Sequence, residues 1–190
     1  MFASITAIAS LAVAAVSAAP STLESRDIWQ PCATNSLADF TLAAWNTSMP
    51  NANSTGAPLV LGYDSAVEGA EFYVLSTWAS YPYNDYPSMT LTGGGLTASG
   101  VNVAAASYTN DGNELAWIMP PQGSPQVGFC ATAGNDSYTL AIHGDPNSWW
   151  LCPGQYSEVN VVYKPDQNHG DFYDYDRCYP VLLKIVENSS

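Results

Sequence analysis

The apolar residues of this chain come in short runs rich in β-branched and aromatic side chains, each closed by a cluster of Gly, Pro, Asn or Asp. That punctuation leaves no room for a sustained helical period. The runs DFTLAAW (39–45), PLVLG (58–62), EFYVLST (71–77), SMTLT (88–92), LTASG (96–100), VNVAAAS (101–107), ELAWIM (114–119), VGFCAT (127–132), SYTLAIH (137–143), WWLC (149–152), YSEVNVVYK (156–164) and PVLLKIV (180–186) read as strands. Turn sequences such as TGGG, NDG, PPQGSP and GDPN separate them. This spacing suits an all-β fold, a single closed barrel or a sandwich of about a dozen short strands with a trefoil-like strand count, and not parallel βαβ units. Val159, Val161 and Tyr163 alternate with Asn160, Val162 and Lys164, which predicts one buried and one solvent face. Val181, Leu183 and Ile185 alternate in the same way, and this last strand is expected beside DFTLAAW, because closing the sheet removes two exposed edges. Trp149 and Trp150 fall on opposite faces of one strand, so only one need enter the core.

Four cysteines, Cys32, Cys130, Cys152 and Cys178, follow a leader of small apolar residues (1–18) that reads as a secretory signal. An even count in that context predicts two disulfides. Four cysteines allow three pairings; the preferred one is Cys152 with Cys178 and Cys32 with Cys130. No CxxC pair supports a zinc site. Residues 19–36 read as a polar tail or a short pro-segment cut after Arg26, and 37–190 as one all-β domain. The 4 Lys+Arg against 17 Asp+Glu, a net charge of -13, argue against nucleic acid and anionic membranes as partners. Sequons at Asn46, Asn53, Asn135 and Asn188 predict N-glycosylation, chiefly in the loop NTSMPNANSTGAP. These features together predict an extracellular location.

An aromatic strand ending in cysteine (WWLCPG), a second aromatic strand (NVVYKPDQ), a polar loop, another cysteine and a terminal hydrophobic strand (DRCYPVLLKIV) follow one another here. This order resembles the C-terminal domain of fungal Pir-type cell-wall mannoproteins and the related phialide-associated wall proteins. MTLTGGGLTAS and ELAWIM are similar to further strands of that domain, so the resemblance runs from about Pro87 to Val186. It implies a secreted, glycosylated, non-catalytic structural or surface component of the fungal cell wall, with wall polysaccharide as its partner and no cofactor. The Gln-containing repeats that link Pir proteins covalently to glucan are missing between Ser21 and Asp39.

The remaining chemistry is sparse. Both histidines sit in His-Gly-Asp triplets, His143-Gly144-Asp145 and His169-Gly170-Asp171, the second among Asp166, Asp174 and Asp176. No ordered ligand pattern is present, so this reads as a solvated acidic loop and no metal is expected. No GxSxG occurs, and Glu68, Glu71, Glu114 and Glu158 lie on or beside strands with nothing to single out a catalytic pair. Two aromatic loops offer rings for stacking sugars: Trp78, Tyr81, Tyr83 and Tyr86 in one, and Phe172, Tyr173, Tyr175 and Tyr179 in the other. They carry a second reading, a carbohydrate-binding module; a third is a hydrolase with two buried, facing carboxylates. The stretch from Ser148 to Pro165 is read as a stapled core and not as the wall of a site.

Overall fold

The computed structural model describes residues 31–100, 103–120, 123–134, 137–154 and 156–188. The leader, Arg26 and the sequon asparagine at 135 lie outside the described residues. The strands are β1 (Cys32–Thr34), β2 (Leu37–Asn46), β3 (Ala57–Val67), β4 (Ala70–Thr77), β5 (Ser88–Thr92), β6 (Gly95–Ser99), β7 (Val103–Tyr108), β8 (Ala116–Met119), β9 (Phe129–Ala133), β10 (Tyr138–Ile142), β11 (Trp149–Pro153), β12 (Val159–Tyr163) and β13 (Tyr179–Glu187). All pairings are antiparallel, and the one helical turn among the described residues is a 3₁₀ turn, Tyr175–Arg177. Twelve of the strands overlap the twelve runs expected from sequence. The short β1 was not anticipated, because its three residues carry too little pattern.

Six strands close into a barrel. β13 pairs with β2 over seven residue pairs, from Val181 opposite Asn46 to Glu187 opposite Phe40, as the edge-closing argument requires. The ring continues from β2 to β5, β5 to β6, β9 to β10 and β10 to β13. It closes between β6 and β9, where the Phe129 N–H donates to Gly94 O at 3.0 Å. Six more strands form three hairpins, β3–β4, β7–β8 and β11–β12, which cap the barrel, and the short β1 pairs with β9. β4 pairs with both β8 and β12, and the Leu115 N–H donates to Val161 O at 2.9 Å, so the hairpins meet as a triangle. The chain thus runs as three four-strand units, β2–β5, β6–β9 and β10–β13, which is the trefoil arrangement. Leu75, Leu115 and Val161 occupy matching places where the hairpins converge, and each is fully buried.

Inward-facing side chains fill the barrel, with Trp117, Trp149, Phe40 and Phe129 the largest of them. The indole N–H of Trp149 donates to Leu140 O at 3.0 Å, so its polar atom costs nothing on burial. Trp149 is fully buried and Trp150 only half-buried, in keeping with opposite faces.

The expected solvent face of β12 is a correction. Asn160 and Val162 are as buried as Val161 and Tyr163, because another part of the chain crosses outside them. The Cys152–Cys178 disulfide, a bridge pairing Gly154 with Tyr173 and the Asp174 N–H to Pro153 O bond (2.8 Å) hold residues 172–178 across the outer side of the β11–β12 hairpin. Cys152, Val162 and Tyr173 form a small second core there. Alternation along a strand reports two faces but not what packs over the second one. The other disulfide, Cys32–Cys130, ties β1 to β9, so both bridges follow the preferred pairing.

The Cys152–Cys178 bridge closes a span of 26 residues. Replacing both cysteines by Ala is expected to lower unfolding free energy by about 2–5 kcal/mol, read from urea titration. An unchanged urea midpoint would show that the strap holds without it.

A carboxylate cleft on the cap

Where the three hairpins meet, residues flanking the buried Leu75, Leu115 and Val161 point outward, away from the barrel. They are Val74 and Ser76 on β4, Glu114 and Ala116 at the start of β8, and Asn160 and Val162 on β12. Three of them join in a chain: the Ser76 hydroxyl donates to Asn160 Oδ1 at 2.6 Å, and Asn160 Nδ2 donates to Glu114 Oε1 at 2.7 Å. Ser76 is fully buried and Asn160 nearly so, so each polar atom in the chain needs the partner it has. The chain ends on a carboxylate that lines open space.

That space is a cleft of about 210 Å³ bounded by Asp64, Phe72, Glu114 and Phe172, floored by Val74 and Ala116. A side chamber of about 60 Å³ shares Asp64, Glu114 and Phe172 and adds Tyr156, Glu158 and Asn160. Local backbone irregularities deliver each acid. Asp64 is the extra residue of a β-bulge in β3, between the pairs Tyr63–Tyr73 and Ser65–Phe72, and a bulge re-aims the side chain it carries. Glu114 leaves the tight NDGNE turn, where Gly112 takes φ 83°, and bridges to Val162. Glu158 ends the β11–β12 turn, which is closed by the Gly154 N–H on Glu158 O at 2.7 Å. One carboxylate therefore comes from the hairpin of each trefoil unit.

Burial pushes the Glu114 carboxyl above its ordinary value; the Asn160 hydrogen bond opposes this, and the charges of Asp64 and Glu158 add to the rise. Burial raises Glu158 as well, with Asp64 adding to it. None of the three described cations lines the cleft. Lys164 lies 3.7 Å from Asp111, Arg177 3.8 Å from Asp174, and Lys184 sits 3.7 Å above the Trp45 ring while donating to Ser54 O.

Two aromatic rings stand at the rim, Phe172 at 66 % exposure and Tyr156 at 81 %. Phe172 is outward because its neighbour Tyr173 is inward: adjacent residues of an extended bridge point to opposite sides. The Tyr173 hydroxyl donates to Gly112 O at 3.1 Å and accepts from the Asp166 N–H at 3.2 Å, which fixes the cleft's outer wall.

The sequence candidates divide. Trp78 and Tyr83 are exposed, and Tyr81 is half-buried with its ring 5.4 Å from that of Tyr83. Tyr86 and Tyr173 are buried and cannot offer a face to a sugar; Tyr86 packs edge-on to Tyr73, and Tyr173 stacks on His169 at 3.7 Å. Tyr175 is half-buried in the 3₁₀ turn. Glu68 and Glu71 are exposed outside the cleft, Glu71 accepting from the Tyr73 hydroxyl at 2.7 Å. The stretch 148–165 is both core and site wall, since Tyr156, Glu158 and Asn160 belong to it. Asp145 of the first His-Gly-Asp triplet accepts from the Tyr163 hydroxyl at 3.0 Å, and no group of three or more His, Cys, Asp and Glu able to hold a metal occurs among the described residues. In the sequons, Asn46 Oδ1 and Asn53 Oδ1 accept from the hydroxyls of Ser48 and Thr55 within exposed turns, whereas Asn188 Nδ2 is engaged on Asp39 Oδ1 at 2.7 Å. Sequence reasoning missed Asp64 and Tyr156, the first because a bulge is invisible in composition and the second because one ring in a turn carries no pattern.

A larger space of about 510 Å³ is lined by Ala133, Gly134, Ser137, Tyr138, Ile185 and Glu187, with one carboxylate among the described residues against three in the cap cleft. The cap cleft is therefore the better candidate. Comparison with family models, with curated proteins and with solved structures finds no match.

Asn160→Ala leaves the Ser76 hydroxyl and the buried side of Glu114 without partners, and is expected to cost about 1–3 kcal/mol in chemical denaturation; an unchanged midpoint would mean the chain bears no load. A pH series tests the carboxylate itself. Because the folded state holds the Glu114 proton more tightly than the unfolded chain, it binds more protons in the window above the ordinary 4.5, and stability must fall as pH rises through that window. Glu114→Gln should flatten that part of the stability profile. A variant profile parallel to the wild type would contradict the assignment.

Proposed function

We propose that this protein is a secreted, glycosylated cell-surface component that binds wall polysaccharide through the cap cleft and performs no reaction. The observation that carries this reading is the pairing of exposed Phe172 and Tyr156 faces with hydrogen-bond acceptors in one concave site. A pyranose ring can stack on such a face while its hydroxyls donate to carboxylates. The cleft is smaller than the roughly 300–1,000 Å³ of sites that enclose drug-sized ligands, which suits a chain crossing an open groove. Two disulfides suit an oxidising, extracellular setting. The leader, the sequons and the Pir-type resemblance support secretion and wall retention.

One observation favours a second reading, glycoside hydrolysis: Glu114 holds its proton above the ordinary carboxyl range and shares a cleft with Glu158 and Asp64. An acid and a carboxylate across one sugar is the minimum that reaction needs.

Retention on insoluble β-glucan and chitin decides between them. Wild type is expected to be retained without releasing reducing ends, Phe172→Ala and Tyr156→Ala to lose retention by about tenfold, a stacking contact's worth, and Trp78→Ala to keep it. Wild type washing through both matrices would refute polysaccharide binding, and reducing ends that disappear with Glu114→Gln would put the hydrolase in its place.

A further inference from the structure

The polysaccharide reading leaves open which sugar chemistry the cleft selects, and charge narrows it. Three carboxylates from three hairpins, Asp64, Glu114 and Glu158, face a space that no cationic side chain lines among the described residues. The chain has only four basic residues; Arg26 lies outside the described residues, and Lys164, Arg177 and Lys184 each have contacts elsewhere. Glu114 and Glu158 are half-buried and Asp64 adds its charge from an exposed position, and acids gathered in this way without counter-charge are costly to a fold unless something neutralises them. A neutral sugar would leave that cost in place; an ammonium would remove it. The rim supports the same occupant, since exposed Phe172 and Tyr156 offer π faces that attract a cation as well as an apolar ring surface.

We propose that the cap cleft binds a protonated amino sugar, a hexosamine unit with a free ammonium in an oligo- or polysaccharide, with Asp64 and Glu158 as its ion-pair partners, Glu114 as the acceptor held in place by Asn160, and Phe172 as the stacking face. This rests on the polysaccharide reading and adds the charge of the ligand. Asn160 is a positioning residue in this account, since its amide fixes Glu114 Oε1 at 2.7 Å. Asp64 and Glu158 lie on a bulge and at a turn, so neutralising them should spare the fold.

Calorimetry near pH 6 on the full mature chain tests this with four short probes: a glucosamine tetramer, its fully N-acetylated counterpart, a β-glucan tetramer and tetralysine. The glucosamine tetramer is expected to bind about tenfold or more tighter than either neutral sugar, the order of one or two close charge pairs, and to weaken as salt rises. Asp64→Asn with Glu158→Gln should abolish that preference, so that the amino sugar binds the variant no tighter than the neutral sugars do. A control pair on the remote surface, Asp85→Asn with Glu187→Gln, removes the same charge and should change nothing. Equal binding of all three sugars, or an equal loss in the remote pair, would overturn the amino-sugar assignment while leaving polysaccharide binding intact. Tetralysine binding as tightly as the amino sugar would overturn it in favour of a basic peptide. Binding of none of the sugars would remove both the assignment and the reading beneath it.

Discussion

Ser76, Asn160 and Glu114 come from three different trefoil units, and the hydrogen bonds that join them are the point on which the cap depends. Backbone pairing brings the hairpins together, but β4 and β12 share only one paired position, Ser76 opposite Asn160. A ladder that short does not fix orientation by itself. The side-chain chain does so, because each member is buried enough that losing its partner costs desolvation with no return. Directionality matters as well: an amide can satisfy a hydroxyl and a carboxylate at once only in one orientation, so Asn160 sets where Glu114 points.

From that anchor the cleft follows with little further design. The carboxylate at the end of the chain cannot turn inward, where Leu115 and Trp117 are fully buried, so it faces the groove between the hairpins. The 172–178 strap then converts the groove into a walled cleft. Its inward Tyr173 is tied to Gly112 O, its outward Phe172 becomes the rim, and the Cys152–Cys178 disulfide keeps the strap over β11–β12. Scaffold and site share residues here: the same strand supplies Val161 to the core and Asn160 to the polar chain.

Strand positions were legible in the sequence wherever apolar runs met turn residues, and the pairing of the last strand with DFTLAAW followed from the need to close edges. That there are two disulfides was legible too, whereas their pairing was a preference among three, which the structure matches. The second face of β12 was not, because the segment that covers it is distant in sequence and reads as a polar, acidic loop. The candidate site was half visible: Glu114, Glu158 and the ring of Phe172 could be named, but nothing in one sequence says that three hairpins bring them to one groove. Asp64 needed the bulge, and the burial of Tyr86 and Tyr173 needed the packing. The trefoil symmetry itself is carried by the places of Leu75, Leu115 and Val161, three small apolar positions among many, with no repeated motif around them to announce it.

The cap depends on Glu114 being a half-buried carboxylate whose charge is opposed by burial and by its acidic neighbours, and held by a single amide. Carboxyl ¹³C NMR of Glu114 through a pH titration measures this directly. The account predicts a midpoint above the ordinary 4.5, moving higher in Asn160→Ala because the hydrogen bond that favours the ionised form is gone. A midpoint at or below 4.5, or one that does not move when Asn160 is replaced, would contradict it.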